Sequence, residues 1–264
     1  SSTFTNQITV TFSEAIEEVS VETLNHFSLD NGIGNPSSIE LLSSGTGALL
    51  TFAKDLTDAT LYQLTVDRVL DLNGNALSSA TQNFTFAAPV DPAFRDLVIN
   101  EIYPDPDASS PLPNAEFVEI FNAGSTAIKL RNFTLSDNGS TATLGIFELA
   151  ANEHLILTSS ANASLFTGNV MGLSDFPSLS NSGETLYFKR RDGTVIDSLS
   201  YDLTFYNDAN KEDGGYTIEL INPEASCFDV SNYEASTASD QGTPGVQNSV
   251  FDNTPDMTAP EVSQ

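Results

Sequence analysis

The segment from Leu97 to Asn122, LVINEIYPDPDASSPLPNAEFVEIFN, most constrains what this chain can fold into. Two alternating apolar runs bracket a loop full of prolines and carboxylates, the pattern of paired strands with a long polar connection. Val98, Ile99 and Ile102 supply the apolar surface of the first run. Phe117, Val118, Ile120 and Phe121 supply that of the second, with Glu116 and Glu119 set between them.

The same texture runs through the whole chain. With 264 residues at roughly 150 per domain, the length predicts about two domains. Hydrophobic residues make up 39%, enough for two cores, and Gly, Pro, Asn, Asp and Ser recur at short intervals, as in all-β proteins of many short strands. From Phe4 to Phe12 the pattern FTNQITVTF places Ile8, Val10 and Phe12 on one face and threonines on the other. Further strands are predicted at 39–42, 48–52, 61–66 and 83–86, a spacing that points to a sandwich.

Charge narrows the range of partners. Nine Lys and Arg against 36 Asp and Glu give a formal net charge of −27, and nucleic-acid affinity comes chiefly from basic side chains displacing counterions. No nucleic-acid partner is expected. Such acidity keeps an exposed protein soluble or gathers divalent cations. The single cysteine, Cys227, has no partner for an intrachain disulfide, so each domain depends on burial and hydrogen bonding. No histidine lies close to Cys227 in sequence to suggest an activated nucleophile. No apolar run approaches the roughly 20 residues that span a bilayer, so no membrane insertion is expected. No charged-then-apolar segment opens the chain, so export would rely on a targeting segment outside it.

Residues 1–89 resemble the bacterial immunoglobulin-like (Ig-like) domain of S-layer and other surface proteins. The resemblance is carried by ITVTFSEAI at Ile8 to Ile16 and LYQLTVDRVLDLNGNALS at Leu61 to Ser78. The family's Asp- and Pro-containing lead-in is missing at the start. A stretch like it, DNTPDMTAPEVSQ, stands instead at Asp252 to Gln264, where it reads as an extended linker (251–264) toward a further module. The expectation is a slice of a tandem array. Residues 90–94 form a short linker, and the stretch Ala87 to Pro92 is proline-stiffened.

Residues 95–250 resemble the lamin-tail domain, through the opening segment and through motifs that follow in order. These are NAGSTAIKLRNFTLSD at Asn122 to Asp137, ANEHLILTS at Ala151 to Ser159, GGYTIELINPEASC at Gly214 to Cys227 and GTPGVQNS at Gly242 to Ser249. Where the family carries tryptophan this chain has Phe133 and Tyr233. The two resemblances imply consecutive Ig-like β-sandwiches in an all-β protein that is secreted or displayed on a bacterial cell surface. They also imply noncatalytic modules that accompany others.

Several loops carry ligand-type side chains. Asp105 and Asp107, with Asn114 and Glu116 nearby, offer the hard oxygens of a calcium site, although calcium takes six to eight of them. The alternative is that Asp and Pro simply build turns there. Asp71, Asn73 and Asn75 have the alternate spacing of an EF-hand opening, but Gly74 and Gln82 do not fit the rest of that loop, and a tight turn explains them better. Asn207, Asp208, Asn210, Glu212 and Asp213 form another oxygen-rich loop. Tyr201, Phe205 and Tyr206 beside it are either a sugar-stacking platform or core. Lys189, Arg190 and Arg191 precede an Asp192-Gly193 hairpin turn and are read as serving solubility and local pairing.

The catalytic inventory is thin. His26 and His154 are the only histidines, and the metalloprotease, nucleophile-elbow and P-loop motifs are all missing. No pair of carboxylates stands out as a glycosidase pair. The expected role is a noncatalytic structural or adhesive segment with protein, glycan or calcium contacts at its loops. The alternative is an accessory substrate-binding region of an extracellular hydrolase or nuclease.

Overall fold

A computed structural model describes residues 5–86, 91–225 and 230–254, and the chain divides into two compact units, Ser1–Val90 and Asp91–Gln264. The first unit holds two three-stranded antiparallel sheets. In one, β1 (Gln7–Thr11), β4 (Gly47–Thr51) and β3 (Ser38–Leu41) lie in the order β1-β4-β3. In the other, β2 (Phe27–Leu29), β5 (Leu61–Val66) and β6 (Ala80–Thr85) lie in the order β2-β5-β6. Alternation explains what lies between them: Ala48, Leu50 and Phe52 are buried in one core with Tyr62, Leu64, Val66 and Phe27, and Ile8, Val10 and Phe12 pack against it.

Two elements of this unit carry no readable period. The strand β2 is only three residues long, and the helix α1 (Glu18–Val21) is a single turn held by its cap. The Glu17 carboxylate accepts the amides of Ser20 at 2.6 Å and Val19 at 3.2 Å, and the Ser20 hydroxyl bonds the Leu70 amide at 2.9 Å. The turn is thus fixed by polar contacts. Ala80–Thr85 is longer than the predicted 83–86 because all six residues pair with β5.

The second unit is built on a six-stranded sheet in the order β14-β13-β8-β7-β17-β18. Its members are β7 (Leu97–Tyr103), β8 (Phe117–Asn122), β13 (His154–Ser159), β14 (Val170–Leu173), β17 (Ile218–Leu220) and β18 (Tyr233–Ala235). A second sheet, in the order β11-β10-β15-β16, contains β10 (Thr134–Ser136), β11 (Thr141–Thr143), β15 (Gly183–Lys189) and β16 (Val195–Asp202). Strands β9 (Ile128–Lys129) and β12 (Glu148–Leu149) pair as a small ribbon. Val118, Ile120, Leu155, Leu157, Ile218 and Leu220 share a core with Leu135, Leu186, Phe188, Ile196 and Leu199 of the second sheet. Fully burying each such side chain contributes about 1.5–3 kcal/mol.

The strands of Leu97–Asn122 are not half exposed, as the alternation predicts. Every residue of β7 is buried, and so are all of β8 except Phe121, because both faces of the sheet are covered. A β-bulge between Ile99 and Glu101 inserts Asn100 opposite β8. Ile99 and Ile102 thereby reach the inter-sheet core while Asn100 and Glu101 contact the chain on the other face.

Asn122 pins the end of β8. It is fully buried, and its amide donates to the carbonyls of Thr126, Leu149 and Ala150 at 2.9, 3.0 and 3.1 Å. Asn122→Ala strands those acceptors and is expected to destabilise this unit by about 2–4 kcal/mol. Asn83→Ala, on an exposed strand, should change the stability of its own unit by less than about 0.5 kcal/mol. Denaturant unfolding followed by amide resonances of each unit measures both.

Candidate functional site

On the face of the six-stranded sheet away from the inter-sheet core, glutamates occupy the same rung of neighbouring strands. Glu119 of β8 is in register with Glu101 of β7, Glu101 with Glu219 of β17, and Glu219 with Glu234 of β18. Glu101, Glu119 and Glu219 have no solvent exposure. Like charges directly opposite one another destabilise a sheet, and burying them without a counter-charge costs several kcal/mol more. Among the described residues, no ion pair reaches this row.

The row is covered by a strap, residues 242–250, which has no strand or helix of its own. Its sequence fixes its shape. Thr243-Pro244-Gly245-Val246 forms a turn closed by Val246 N–H to the Thr243 carbonyl at 3.1 Å, with Gly245 at φ +86, the backbone that glycine adopts freely. Gly242 must also be glycine, since a Cβ there would lie 2.7 Å from both Leu112 Cδ1 and Thr217 Cγ2.

The strap presents donors to the carboxylates. Thr243 N–H donates to Glu101 Oε1 at 2.7 Å, and the Thr243 hydroxyl donates to Glu219 Oε1 at 2.9 Å. Gly245 N–H reaches Glu119 Oε2 at 2.5 Å, and the Ser249 hydroxyl and Val250 N–H reach Glu219 Oε2 at 2.8 and 3.2 Å. The bulge residue Asn100 donates to Glu119 Oε1 and to Asn248 Oδ1, both at 2.8 Å, and Asn248 donates back to the Leu220 carbonyl at 2.7 Å. Burial pushes Glu101 well above the ordinary carboxylate range, helped by the charges of Glu119 and Glu219. Burial also raises Glu119, to about 7, against the lowering effect of its Gly245 and Asn100 hydrogen bonds. Sealed and hydrogen-bonded in this way, the row holds chain together.

The residues singled out in the sequence fare differently. Asp107 accepts the Ser109 amide at 2.7 Å, an Asx turn, and this hydrogen bonding lowers its pKa. Asp105 is raised by burial and by the charges of Asp107 and Asp213, and half-buried Glu116 is raised by burial while accepting the Leu179 amide at 3.2 Å. Among the described residues, no three His, Cys, Asp or Glu side chains are grouped to hold a metal ion. Asp71 folds onto its own turn, accepting the amides of Asn73 and Asn75 at 2.8 Å each and the Asn75 side chain at 2.7 Å. Asp208 does the same with Asn210.

Tyr201, Phe205 and Tyr206 are core, at 4%, 8% and 1% exposure, so they form no open platform. Phe133 and Tyr233 are also buried, Tyr233 reaching the Ile99 carbonyl at 3.3 Å, so neither belongs to a surface. Arg190 pairs with Asp192 at 2.9 Å. Arg191 is not a solvated tip: its side chain is 4% exposed, pairs with Asp91 at 2.5 Å and lies 5.6 Å from the Phe133 ring centre. His154 stacks on Phe121 with ring centres 4.7 Å apart, and burial lowers its pKa. His26 bonds the Ser20 carbonyl at 2.8 Å. Cys227 lies outside the described residues, as do residues 255–264 of the terminal stretch and residues 87–90 before the second unit.

One open cleft, of about 430 Å³, lies beside Glu116 and is lined by Pro106, Asn114, Ser159, Asn162, Phe176 and Ser178 among others. Amide, hydroxyl and carboxylate groups surround one partly buried aromatic ring there. The sequence flagged Glu116 and Asn114 for calcium. It gave no signal for Ser159, at the end of β13, or for Asn162 and Phe176, which fall on other loops.

Among the described residues no helix is long and apolar enough to cross a membrane. The chain matches the Lamin Tail Domain family over residues 91–202 and a bacterial Ig-like domain family over residues 1–88. Strands β17 and β18 and the strap lie beyond the first match yet complete and cover the same sheet. Among solved structures, the chain is similar to the N-terminal part of the bacterial S-layer protein SbsC. The identity is 16% and the TM-score 0.36, over 75% of this chain and 41% of that one. It is also similar to a DUF4876 family protein from Bacteroides thetaiotaomicron VPI-5482, at 13% identity and a TM-score of 0.34, over 90% and 95% of the two chains. This chain thus spans about two fifths of the SbsC structure. No curated protein matches it.

Asp107 accepts the Ser109 amide within its own turn, and among the described residues no three His, Cys, Asp or Glu side chains are grouped for a metal, whereas calcium takes six to eight oxygens. The expected melting temperature is therefore unmoved by millimolar calcium or by EDTA. A calcium-dependent rise of several degrees, lost in Asp105→Asn, would contradict this.

Proposed function

Because this chain joins a bacterial Ig-like domain to a Lamin Tail Domain, we propose that it is a noncatalytic structural segment of a large secreted or cell-surface bacterial protein, spacing and presenting other modules. The observation that carries this reading is the use made of the buried carboxylates. Reaction centres keep ionisable groups within reach of a substrate. Here Glu101, Glu119 and Glu219 are unexposed and hydrogen-bonded to the strap, so this row of ionisable groups serves to hold the sandwich together. The net charge of −27 supports a role on an exposed, soluble protein and argues against a phosphate-bearing partner.

A second reading, an accessory substrate-binding region of an extracellular hydrolase or nuclease, is favoured by the cleft beside Glu116. Its amides, hydroxyls and aromatic ring suit a glycan better than a nucleic acid, which such an acidic chain repels. Two measurements test what the readings share, and a third separates them. Purified chain assayed against ester, phosphoester and glycoside substrates is expected to give no turnover above buffer, and antibody labelling of intact cells is expected to place the parent protein outside the membrane. Turnover that Glu116→Gln abolishes would sink both readings. Saturable resonance shifts of Asn162 and Phe176 on adding cellobiose or chitobiose would favour the second over the first.

A further inference from the structure

The carboxylate row and its strap have a property that a purely structural clamp lacks. A clamp between opposite charges tightens when both are ionised. In this one the holding groups all carry the same sign, and they sit on one rung of adjacent strands. Glu101 lies between Glu119 and Glu219 on adjacent strands, and all three are out of water. The strap covering them, GTPGVQNSV, has no charged residue, so closing it brings only neutral donors.

Among the described residues, the surroundings supply no counter-charge. From β18 the row meets Glu234, which is partly exposed. From β13 it meets Ile156 in register, with His154 two residues away against the Phe121 ring. The chain leading into the strap carries Asp240, which is exposed. Lys211, near the far end of the strap, is engaged with the Ser236 carbonyl at 2.9 Å and with Asp208 at 3.9 Å. Opening the strap would give the carboxylates to water, which solvates their full charge.

We propose that residues 242–250 form a proton-operated latch, held shut when the buried Glu119 and Glu101 carboxyls retain a proton and loosened when both are ionised. The direction follows from linkage. Both Glu119, near 7, and Glu101, well above the usual range, hold protons more tightly in the closed state than glutamates in water, which ionise near 4.5. Protons are then bound more tightly in the closed state. The latch is tightest below about pH 4.5, weakens as pH rises through about 7, and levels off only once Glu101 has also ionised. Ordinary acid denaturation, driven by carboxylates stabilised in their charged form, runs the other way.

Amide hydrogen exchange on the intact chain tests this, read as protection factors for Thr243, Gly245 and Val250 after correction for the intrinsic pH dependence of exchange. Protection at pH 5.5 is expected to exceed that at pH 7.5 by at least about tenfold, since each proton released on opening gives up to tenfold per pH unit. Amides of β15 and β16 should change less. Glu119→Gln, neutral at every pH, is expected to flatten the strap's pH dependence, whereas Glu234→Gln at the exposed end of the row should leave it intact. Protection that is constant or rises between pH 5.5 and 7.5 in the unsubstituted chain overturns the proposal, even if Glu119→Gln fails to fold. An equal slope in a folded Glu119→Gln variant overturns it too. Failure of the latch leaves the spacer reading standing, because enzymatic turnover and cell location are measured separately.

Discussion

The second unit depends on hydrogen bonds between the strap and the carboxylates buried beneath it. A six-stranded sheet that is antiparallel except for the parallel β13–β14 pair, with apolar residues on one face, would ordinarily leave its other face to water. Here that face is sealed along its central strands, β7 and β8, by chain that arrives about 140 residues later. The bond from Thr243 to Glu101 spans 142 positions and that from Gly245 to Glu119 spans 126. The contacts are polar because the strap is polar and exposes main-chain amides that must be satisfied. Carboxylates accept such donors more strongly than neutral groups do, which offsets part of their desolvation. The remainder falls to the apolar core on the other side of the sheet.

The same logic recurs at smaller scale. Asn122, Asn100 and Asn248 are all buried, and each bridges segments that no ladder connects. Asp197 takes the Ile99 amide at 2.7 Å and lies in the field of Arg95, whose guanidinium reaches the carbonyls of Ala225 and Pro223. Buried polar groups in this unit therefore act as staples between distant parts of one chain. No disulfide takes that role, since a single cysteine has no partner in the chain.

Much of this was legible in the sequence, and the rest was hidden for identifiable reasons. Alternation located β1, β3, β4, β5, β7 and β8 because each runs long enough to repeat a two-residue period. It missed β2 and α1, which are three and four residues long. It placed Glu119 on a polar face correctly, yet could not reveal that the face is dry, because the cover comes from a segment with no period. The aromatic triplet Tyr201, Phe205 and Tyr206 reads the same whether it faces solvent or core; the short 3₁₀ turn Leu203–Tyr206 turns Phe205 and Tyr206 inward. Asp71 and Asp107 were readable as turn builders because their acceptors sit two residues ahead of backbone donors.

The central claim is that three neighbouring glutamates are buried with no counter-charge among the described residues, and that Glu101 and Glu119 hold their protons well above the ordinary carboxylate range. The most direct measurement is a pH titration of the side-chain carboxyl ¹³C resonances of Glu101 and Glu119 in the folded chain. The account predicts that Glu119 and Glu101 titrate well above the ordinary carboxylate range, with curves broadened by mutual coupling. Both titrating independently near 4.5, like exposed glutamates, would contradict it.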